Sequence, residues 1–271
     1  MSVSIGLADW RLPVNGPEGV YLAAEVGAEG IQLDLGGPER APWLDNPQRL
    51  KAIQNAIADT GVHPLAVSAN VMNDIGLCAK SGSPAAKDVL NIISRAIDAA
   101  SALDVGLVFL PSFRRSEIIN HAALIRTAEV LQWACTEAQR RGLLLATENV
   151  LTPHDLLKLI RLVDSVTLRV VLDTGNPLKV RQSPLGIVKV AAKWIAPQIH
   201  IKSIAEREPL IIHHSIIVDV LNALNNEAVS FNTLVLENDY RDGDIIRMKR
   251  DIGWVRAQFI SPSIKSINFL R

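Results

Sequence analysis

Residues 143–176 read LLLATENVLTPHDLLKLIRLVDSVTLRVVLDTGN, and this stretch contains the pattern that decides the fold. Two short apolar runs, Leu143–Glu148 and Leu168–Asp173, flank a longer amphipathic stretch. Thr152-Pro153 before that stretch is typical of a helix start, because Thr can accept a free backbone N–H and Pro fits the first helical position. The segment therefore predicts a strand, a helix and a second strand parallel to the first.

The same alternation extends along the whole chain. The apolar runs are Val3–Ala8, Gly30–Leu35, Pro64–Ala69, Gly106–Leu110, Leu143–Glu148, Leu168–Asp173, Gln198–Lys202 and Thr233–Glu237. Apolar residues at helical spacing, followed by a glycine, predict helices at Leu50–Asp59 and Ala122–Arg141. Strands that alternate with helices fit an α/β protein, a single (β/α)8 TIM barrel, which needs about 250 residues. A doubly wound sheet is disfavoured, because Gly36-Gly37 is not part of a GxGxxG phosphate turn.

Composition limits the class of protein and its partners. The chain has 271 residues, 48% of them hydrophobic and 21% charged, which predicts a compact globular protein. No Pro/Gly/Ser linker, low-complexity tract or charge block divides it, so we expect one domain over residues 1–271. Lys and Arg number 28, as do Asp and Glu, and this balance disfavours a nucleic acid partner. Cys78 and Cys135 match no disulfide or zinc pattern, and no apolar run approaches the roughly 18 residues of a membrane span. We therefore expect a cytoplasmic protein without a membrane partner.

Polar residues end the last four apolar runs. They are Glu148-Asn149, Asp173-Thr174-Gly175-Asn176, His200-Ile201-Lys202 and Glu237-Asn238. The carboxyl ends of barrel strands share one mouth, where the active sites of such barrels lie. Three carboxylates there would repel one another unless a cation separates them. Two Glu, one Asp and one His suit a divalent metal, Mn²⁺ before Mg²⁺, Co²⁺ or Zn²⁺, although a single such carboxylate is more often a helix cap or a surface ion pair.

At these motifs the chain resembles the xylose isomerase-like TIM-barrel superfamily, a group that includes abasic-site endonucleases, and most of all its sugar phosphate isomerase/epimerase branch. The motifs are Gly27-Ala28-Glu29-Gly30-Ile31-Gln32-Leu33, Ala66-Val67-Ser68-Ala69-Asn70, Ala146-Thr147-Glu148-Asn149, Val171-Leu172-Asp173-Thr174-Gly175-Asn176, His200-Ile201-Lys202 and Leu236-Glu237. The resemblance implies Glu148, Asp173, His200 and Glu237 as ligands of one divalent metal. It also implies an isomerase or epimerase of a sugar, sugar phosphate or keto-polyol. Glu148 and Glu237 would be its acid/base pair in a reaction through an enediolate.

Other residues on the same face are predicted to bind the substrate. Lys202 should face the same side as His200, because side chains alternate along a strand. Trp10 and Arg11 follow the first strand and are expected to contact sugar, whereas Arg114-Arg115 follow the fourth strand and are expected to contact phosphate. Asn70 and Asn176 complete the predicted substrate-binding set.

Three positions depart from the family pattern. Members commonly have His where Asn176 stands, Glu where Gln32 stands and Asp where Ser203 stands. Asn and Gln can hydrogen-bond a hydroxyl group but carry no charge. These changes therefore bear on the identity of the substrate more than on the metal ligands.

Other functions stay open on the sequence alone. A dehydratase of a keto-polyol or a dehydroshikimate-like acid would use the same metal and the same enolate step. An abasic-site endonuclease would need more histidines at strand ends, but strands three and four end in Ala69-Asn70 and Leu110-Pro111-Ser112. A non-catalytic barrel would require that the four-residue site bind no metal. A homo-oligomer is implied by the family resemblance only.

Overall fold

Eight parallel strands close into a barrel in sequence order, and the last strand pairs with the first. A computed structural model describes residues 3–260 of the chain. The strands are β1 (Ser4–Ala8), β2 (Gly30–Asp34), β3 (His63–Ser68), β4 (Leu107–Pro111), β5 (Leu144–Glu148), β6 (Leu168–Asp173), β7 (Ile195–Ile201) and β8 (Thr233–Leu236). The predicted (β/α)8 TIM barrel is confirmed.

Helices follow the strands, and most of them cover the outside of the barrel. They are α1 (Pro17–Val26), α2 (Pro47–Thr60), α3 (Met72–Ile75), α4 (Pro84–Ala102), α5 (His121–Arg140), α6 (Pro153–Val163), α7 (Asn176–Lys179), α8 (Pro184–Ala191), α9 (His214–Asn226) and α10 (Ile245–Ile260). The short α3 and α7 lie instead at the cavity above the strand ends. Short 3-10 turns occur at Asp9–Arg11, Arg114–Ser116, Ala192–Trp194 and Leu210–His213. Over the described part of the chain, no helix combines the length and the apolar character that a membrane crossing requires.

Side-chain caps determine where several helices begin. The Thr152 hydroxyl accepts the Asp155 N–H at 3.1 Å, as predicted for the start of α6. Helix α2 begins three residues before its predicted start, because Asn46 caps it and Pro47 occupies its first position. Gly61 ends α2 with a φ of 72°, a left-handed conformation that glycine adopts without strain.

The core has two layers. The larger layer lies between the strands and the helices, and the smaller layer fills the barrel itself. The inner layer consists of Ala66, Leu107, Phe109, Ala146, Val171 and Ala196. Phe109 among three alanines occupies the centre of the barrel, so the polar strand ends lie above a packed apolar interior.

A bulge in β3 shapes the interior between β1 and β3. The register between β2 and β3 shifts after Ile31, so Leu65 has no partner opposite it in β2. The Leu65 side chain lies over Gly6 and Gly30, and a Cβ on Gly30 would approach Leu65 to 2.7 Å. The bulge also makes the Leu65 carbonyl available to the Gln198 side chain, which donates to it at 2.6 Å.

The element boundaries differ from the predicted ones by a few residues. Strand β7 begins at Ile195, three residues before the predicted start, and it ends at Ile201, one residue before Lys202. That residues 1–271 form one domain stays a prediction, and residues 1–2 and 261–271 lie outside the described part.

Candidate active site

The ends of strands β5 to β8 bring four potential ligands together. Glu148, Asp173, His200 and Glu237 each offer one ligand atom, and these atoms all lie within 4.8 Å of one another. All four residues are buried, with at most 4% of their surface exposed. The expected convergence of the strand ends in one mouth is therefore present in the structure.

Two atoms of this cluster are buried without a hydrogen bond in residues 3–260: Asp173 Oδ2 and His200 Nδ1. The other carboxylate oxygen, Asp173 Oδ1, accepts the Gly175 N–H at 2.7 Å and the Asn176 N–H. A buried polar atom without a partner destabilises a fold by about 1–3 kcal/mol. A carboxylate oxygen and an imidazole nitrogen beside two more carboxylates are the donor set of a divalent cation, so these residues fit a metal.

A chain of hydrogen bonds across the barrel orients His200. His200 Nε2 lies 3.0 Å from Gln32 Oε1, and Gln32 Nε2 donates to Gln198 Oε1 at 2.8 Å. The chain ends at the Leu65 carbonyl, which can only accept, so the orientation of both amides follows and His200 must donate from Nε2. In the neutral imidazole, the form that binds a metal, the lone pair of His200 then lies on Nδ1, the nitrogen that faces the carboxylates.

Gln32 therefore differs from its expected role. Sequence analysis placed it among the residues that bear on the substrate, but its side chain is fully buried between His200 and Gln198. The physical reason is the inward-facing geometry of β2, which directs Gln32 across the barrel rather than into the mouth.

Glu237 is surrounded by donors. Its Oε1 accepts from Trp10 Nε1 at 2.9 Å and from Arg11 Nε at 3.4 Å, while its Oε2 accepts from Lys202 Nζ at 3.1 Å. Burial would raise the pKa of Glu237, but Lys202, Arg11 and His200 hold it well below its ordinary value. Glu237 is thus maintained as a carboxylate.

Glu148 has fewer donors around its side chain. Its Oε1 accepts from the neutral amide Asn176 Nδ2 at 3.1 Å, and His200 Nδ1 lies 3.8 Å away. The two carboxylates therefore differ in their surroundings, because cations contact Glu237 and a neutral amide contacts Glu148. Unequal surroundings are the usual basis for different acid and base roles in one site.

The remaining two members of the cluster have raised pKa values. Burial, with the negative charges of Glu237 and Glu148, raises the pKa of Asp173 to about 7. Burial acts to lower the pKa of His200, but Glu148 and Glu237 outweigh it and raise that pKa to about 10. Protons and a divalent cation therefore compete for the same atoms of this cluster.

A cavity of about 310 Å³ opens above the cluster. Trp10, Asn70, Arg114 and Asn176 line it, as expected for residues predicted to bind substrate. Lys202 lies deeper, with 1% of its surface exposed, and its ammonium group contacts Glu237. The structure thus brings every predicted site residue to the carboxyl ends of the strands.

Sequence analysis missed several charged residues of this mouth. Arg40, Lys179, Glu206 and Arg241 line the same cavity, but they lie in loops or in a short helix, where no apolar run marks them. Asp34 ends β2 and could have been found by the rule that selected Glu148. Its buried carboxylate is 3.5 Å from the Arg40 guanidinium group.

Comparison with known proteins agrees with this arrangement. Residues 20–232 match the family described as xylose isomerase-like TIM barrel. A relative from an Actinoplanes species, 2-epi-5-epi-valiolone 7-phosphate 2-epimerase, is 39% identical over an alignment of 265 residues, and the alignment covers 96% of each chain. The chain belongs to the xylose isomerase-like TIM-barrel family. The resemblance seen in the strand-end motifs is thereby confirmed.

Solved structures show the same barrel at low sequence identity. The 3-keto-D-glucoside 4-epimerase of E. coli superposes with a TM-score of 0.73 at 16% identity, covering 94% of this chain and all of its own. The D-psicose 3-epimerase of Clostridium cellulolyticum H10, solved with D-tagatose, gives 0.73 at 14% identity over 94% and 97% of the two chains. At these identities, the agreement concerns the family fold.

Proposed function

We propose that this chain is a divalent-metal-dependent epimerase of a phosphorylated keto-cyclitol or ketose. Mn²⁺ is the expected ion, held by Glu148, Asp173, His200 and Glu237. The observation that carries the proposal is a pair of buried atoms, Asp173 Oδ2 and His200 Nδ1, which lie between two glutamates and have no hydrogen-bond partner in the described part of the chain. The relative at 39% identity is named for an epimerisation next to a carbonyl group, and its substrate is a phosphorylated cyclitol.

A divalent ion in this cluster would polarise the substrate carbonyl and acidify the neighbouring C–H bond. Glu148 would accept that proton, because Arg11 and Lys202 contact Glu237 and stabilise its charged form, whereas the neutral amide of Asn176 contacts Glu148. Glu237 would exchange a proton at the opposite face of the same carbon. Trp10 and Asn176 would position the two carboxylates, since each donates a hydrogen bond to one of them.

Proton exchange tests this proposal directly. We expect the purified protein with Mn²⁺ to exchange the hydrogen next to the carbonyl of 2-epi-5-epi-valiolone 7-phosphate with D₂O, as followed by proton NMR. Glu148→Gln keeps the size of the side chain and removes its basicity, so exchange should fall by about a thousandfold or more. Full turnover by Glu148→Gln would contradict the assignment of the base.

The exposed surface supplies a matched control. Glu129→Gln makes the same chemical change on α5, where Glu129 pairs with Arg126 on the outside of the barrel, and it should leave exchange unchanged. Elemental analysis of protein purified without chelator should find about one divalent ion per chain, and the ion should be lost in Asp173→Asn.

A further inference from the structure

One side of the cavity mouth carries an excess of positive charge. The cationic side chains gathered at the ends of β6, β7, β8 and β1 are Arg11, Lys179, Lys202, Arg207 and Arg241. The carboxylates that pair with them are Glu206, Glu237 and Asp239. Asp173, which ends β6, also acts on Arg11 and Lys202, so five cations face four carboxylates and this side keeps an excess of positive charge.

Glu206 is the centre of this group. Its carboxylate is 3.1 Å from Arg11 Nη1 and 3.3 Å from Lys202 Nζ, and it also contacts Lys179 Nζ. Burial would raise the pKa of Glu206, but Lys202, Lys179 and Arg11 together lower it. Glu237 also pairs with Arg11 and Lys202, so two carboxylates face these three cations and the group is suited to a further anion.

Two of these cations face the cavity with donors to spare. The Lys179 side chain is 38% exposed, and an ammonium group can donate three hydrogen bonds. Arg241 uses Nε and Nη2 on Asp239, at 2.6 and 2.9 Å, and its Nη1 makes no hydrogen bond to a residue between 3 and 260. Both side chains line the cavity that also exposes Glu148 and Glu237.

We propose that Lys179, Arg241 and Arg11 form a subsite for the phosphate group of the substrate. This inference rests on the proposed function, because it places the phosphate in the same cavity as the reacting carbon. A phosphate monoester carries about two negative charges and three acceptor oxygens at pH 7, so cations with unused hydrogen-bond donors attract and bind it. Arginine and lysine donors are the usual ligands of such a group.

The opposite wall of the cavity is already neutral. Arg114 lies 2.6 Å and Arg40 2.7 Å from the shared carboxylate of Asp74, and Arg40 also contacts Asp34. Two cations there face two carboxylates. The sequence-based expectation that Arg114 binds phosphate is therefore less favoured by charge than the wall that contains Lys179.

Inorganic phosphate is the probe for this subsite. Phosphate binding to the full chain, treated with chelator to remove metal, would be followed by phosphorus NMR titration. Lys179→Met and Arg241→Met should each weaken phosphate binding by about tenfold, since a charged hydrogen bond is lost. Lys189→Met, which removes an exposed lysine of α8, should change it less than twofold. Absence of binding to the wild type, equal losses in Lys189→Met, or a loss confined to Arg114→Met would each overturn the subsite.

Activity separates the subsite from the proposed function. The wild type should prefer a phosphorylated ketose to its unphosphorylated form, and Lys179→Met should reduce this preference by raising KM rather than by lowering kcat. These two results would support both the subsite and the epimerase. Equal kcat/KM on the two forms would overturn the subsite and leave the epimerase. Phosphate binding that depends on Lys179 and Arg241, without hydrogen exchange on any ketose tested, would overturn the epimerase and leave the subsite.

Discussion

The neutral side chain of Gln32 orients His200 and is itself held by Gln198, and this arrangement can be tested at a single residue. Gln32→Leu removes the acceptor of the His200 Nε2–H, so the imidazole can adopt the tautomer that carries its proton on Nδ1. That tautomer cannot bind a metal through Nδ1. We expect Mn²⁺ affinity to fall about tenfold to a hundredfold, as measured by titration calorimetry.

Two further variants sharpen that experiment. Gln32→Glu still offers an acceptor to His200 and should retain more of the Mn²⁺ affinity than Gln32→Leu. Gln139→Leu replaces an exposed glutamine of α5 and should bind Mn²⁺ as the wild type does. If Gln32→Leu bound Mn²⁺ with unchanged affinity, the orientation of His200 would not depend on this chain of amides.

The buried carboxyl group of Asp9 should make the free energy of unfolding depend on pH. Its side chain is buried, Oδ1 accepts the Asp34 N–H at 2.9 Å, and burial together with the charge of Asp34 raises its pKa to about 7. An acid whose pKa is higher in the folded state than in the unfolded state stabilises the fold at low pH. That contribution diminishes as pH rises from the unfolded value, 3.8, through about 7.

Urea unfolding at pH 5 and pH 8 measures this effect. Ionisation of Asp9 alone should lower the free energy of unfolding by about 2–3 kcal/mol as the pH rises from 5 to 8. Asp9→Asn does not ionise, so its stability should decline less over the same interval. A decline as large as that of the wild type would assign the pH dependence to other groups, Asp34 and the metal-ligand cluster among them.

At the scale of elements, the junction of β1, β2 and β3 depends on the absence of a side chain. Gly30→Ala would place a Cβ at 2.7 Å from Leu65, which the bulge holds over the glycine. We expect a loss of about 1–3 kcal/mol in the free energy of unfolding, measured with urea. Gly106→Ala, where no atom lies within 4 Å of the added Cβ, is the control.

The double variant Gly30→Ala/Leu65→Ala identifies the cause. Truncating Leu65 removes the atoms that the new methyl group would meet, so the effects of the two changes should not add. Simple additivity would show that Gly30 is required for a reason other than this contact.

The same junction shows why the sequence predicts the positions of the strands better than the contacts and the register between them. The apolar runs locate every strand to within a few residues, because a strand that is buried on both faces needs apolar side chains along its length. The position of the bulge at Leu65 depends instead on which residue packs over Gly6 and Gly30, and this is a contact between separate strands. The hydrogen bond from Gln198 to the Leu65 carbonyl follows from the bulge and was likewise not predictable.

At the scale of the whole molecule, metal binding should stabilise the barrel. Mn²⁺ at about a hundred times its Kd adds about 2.7 kcal/mol when the ion binds only the folded state. For a chain of this length, we expect Tm to rise by about 5–10 °C, as measured by calorimetry. The wild type and Asp173→Asn are compared by the change in Tm that Mn²⁺ causes in each. Their absolute Tm values are not comparable, because the substitution also alters the stability of the protein without metal.

Asp173→Asn should show little of this rise. It replaces a buried carboxylate ligand with an amide and leaves the other three ligands in place. An equal rise in Tm for the wild type and Asp173→Asn would show that Mn²⁺ stabilises the protein from a different site.

The candidate site was predictable where it follows from topology. A barrel brings its strand ends to one mouth, so polar residues after apolar runs locate Glu148, Asp173, His200 and Glu237 from sequence alone. Glu206 and Arg241 lie in loops whose course depends on packing of the folded chain, and no periodic pattern marks them. The cytoplasmic location, the absence of a nucleic acid partner and the homo-oligomer stay predictions.

The interior beneath the site also limits how protons can travel. Below His200 lie Gln32, Gln198, Phe109 and small aliphatic side chains, and none of these residues ionises at physiological pH. The base of the barrel therefore acts as an insulator for protons. In the proposed reaction, a proton taken from the substrate would therefore leave through the mouth. A bound product that blocks the mouth would slow the exchange of this proton with water and favour its return to carbon.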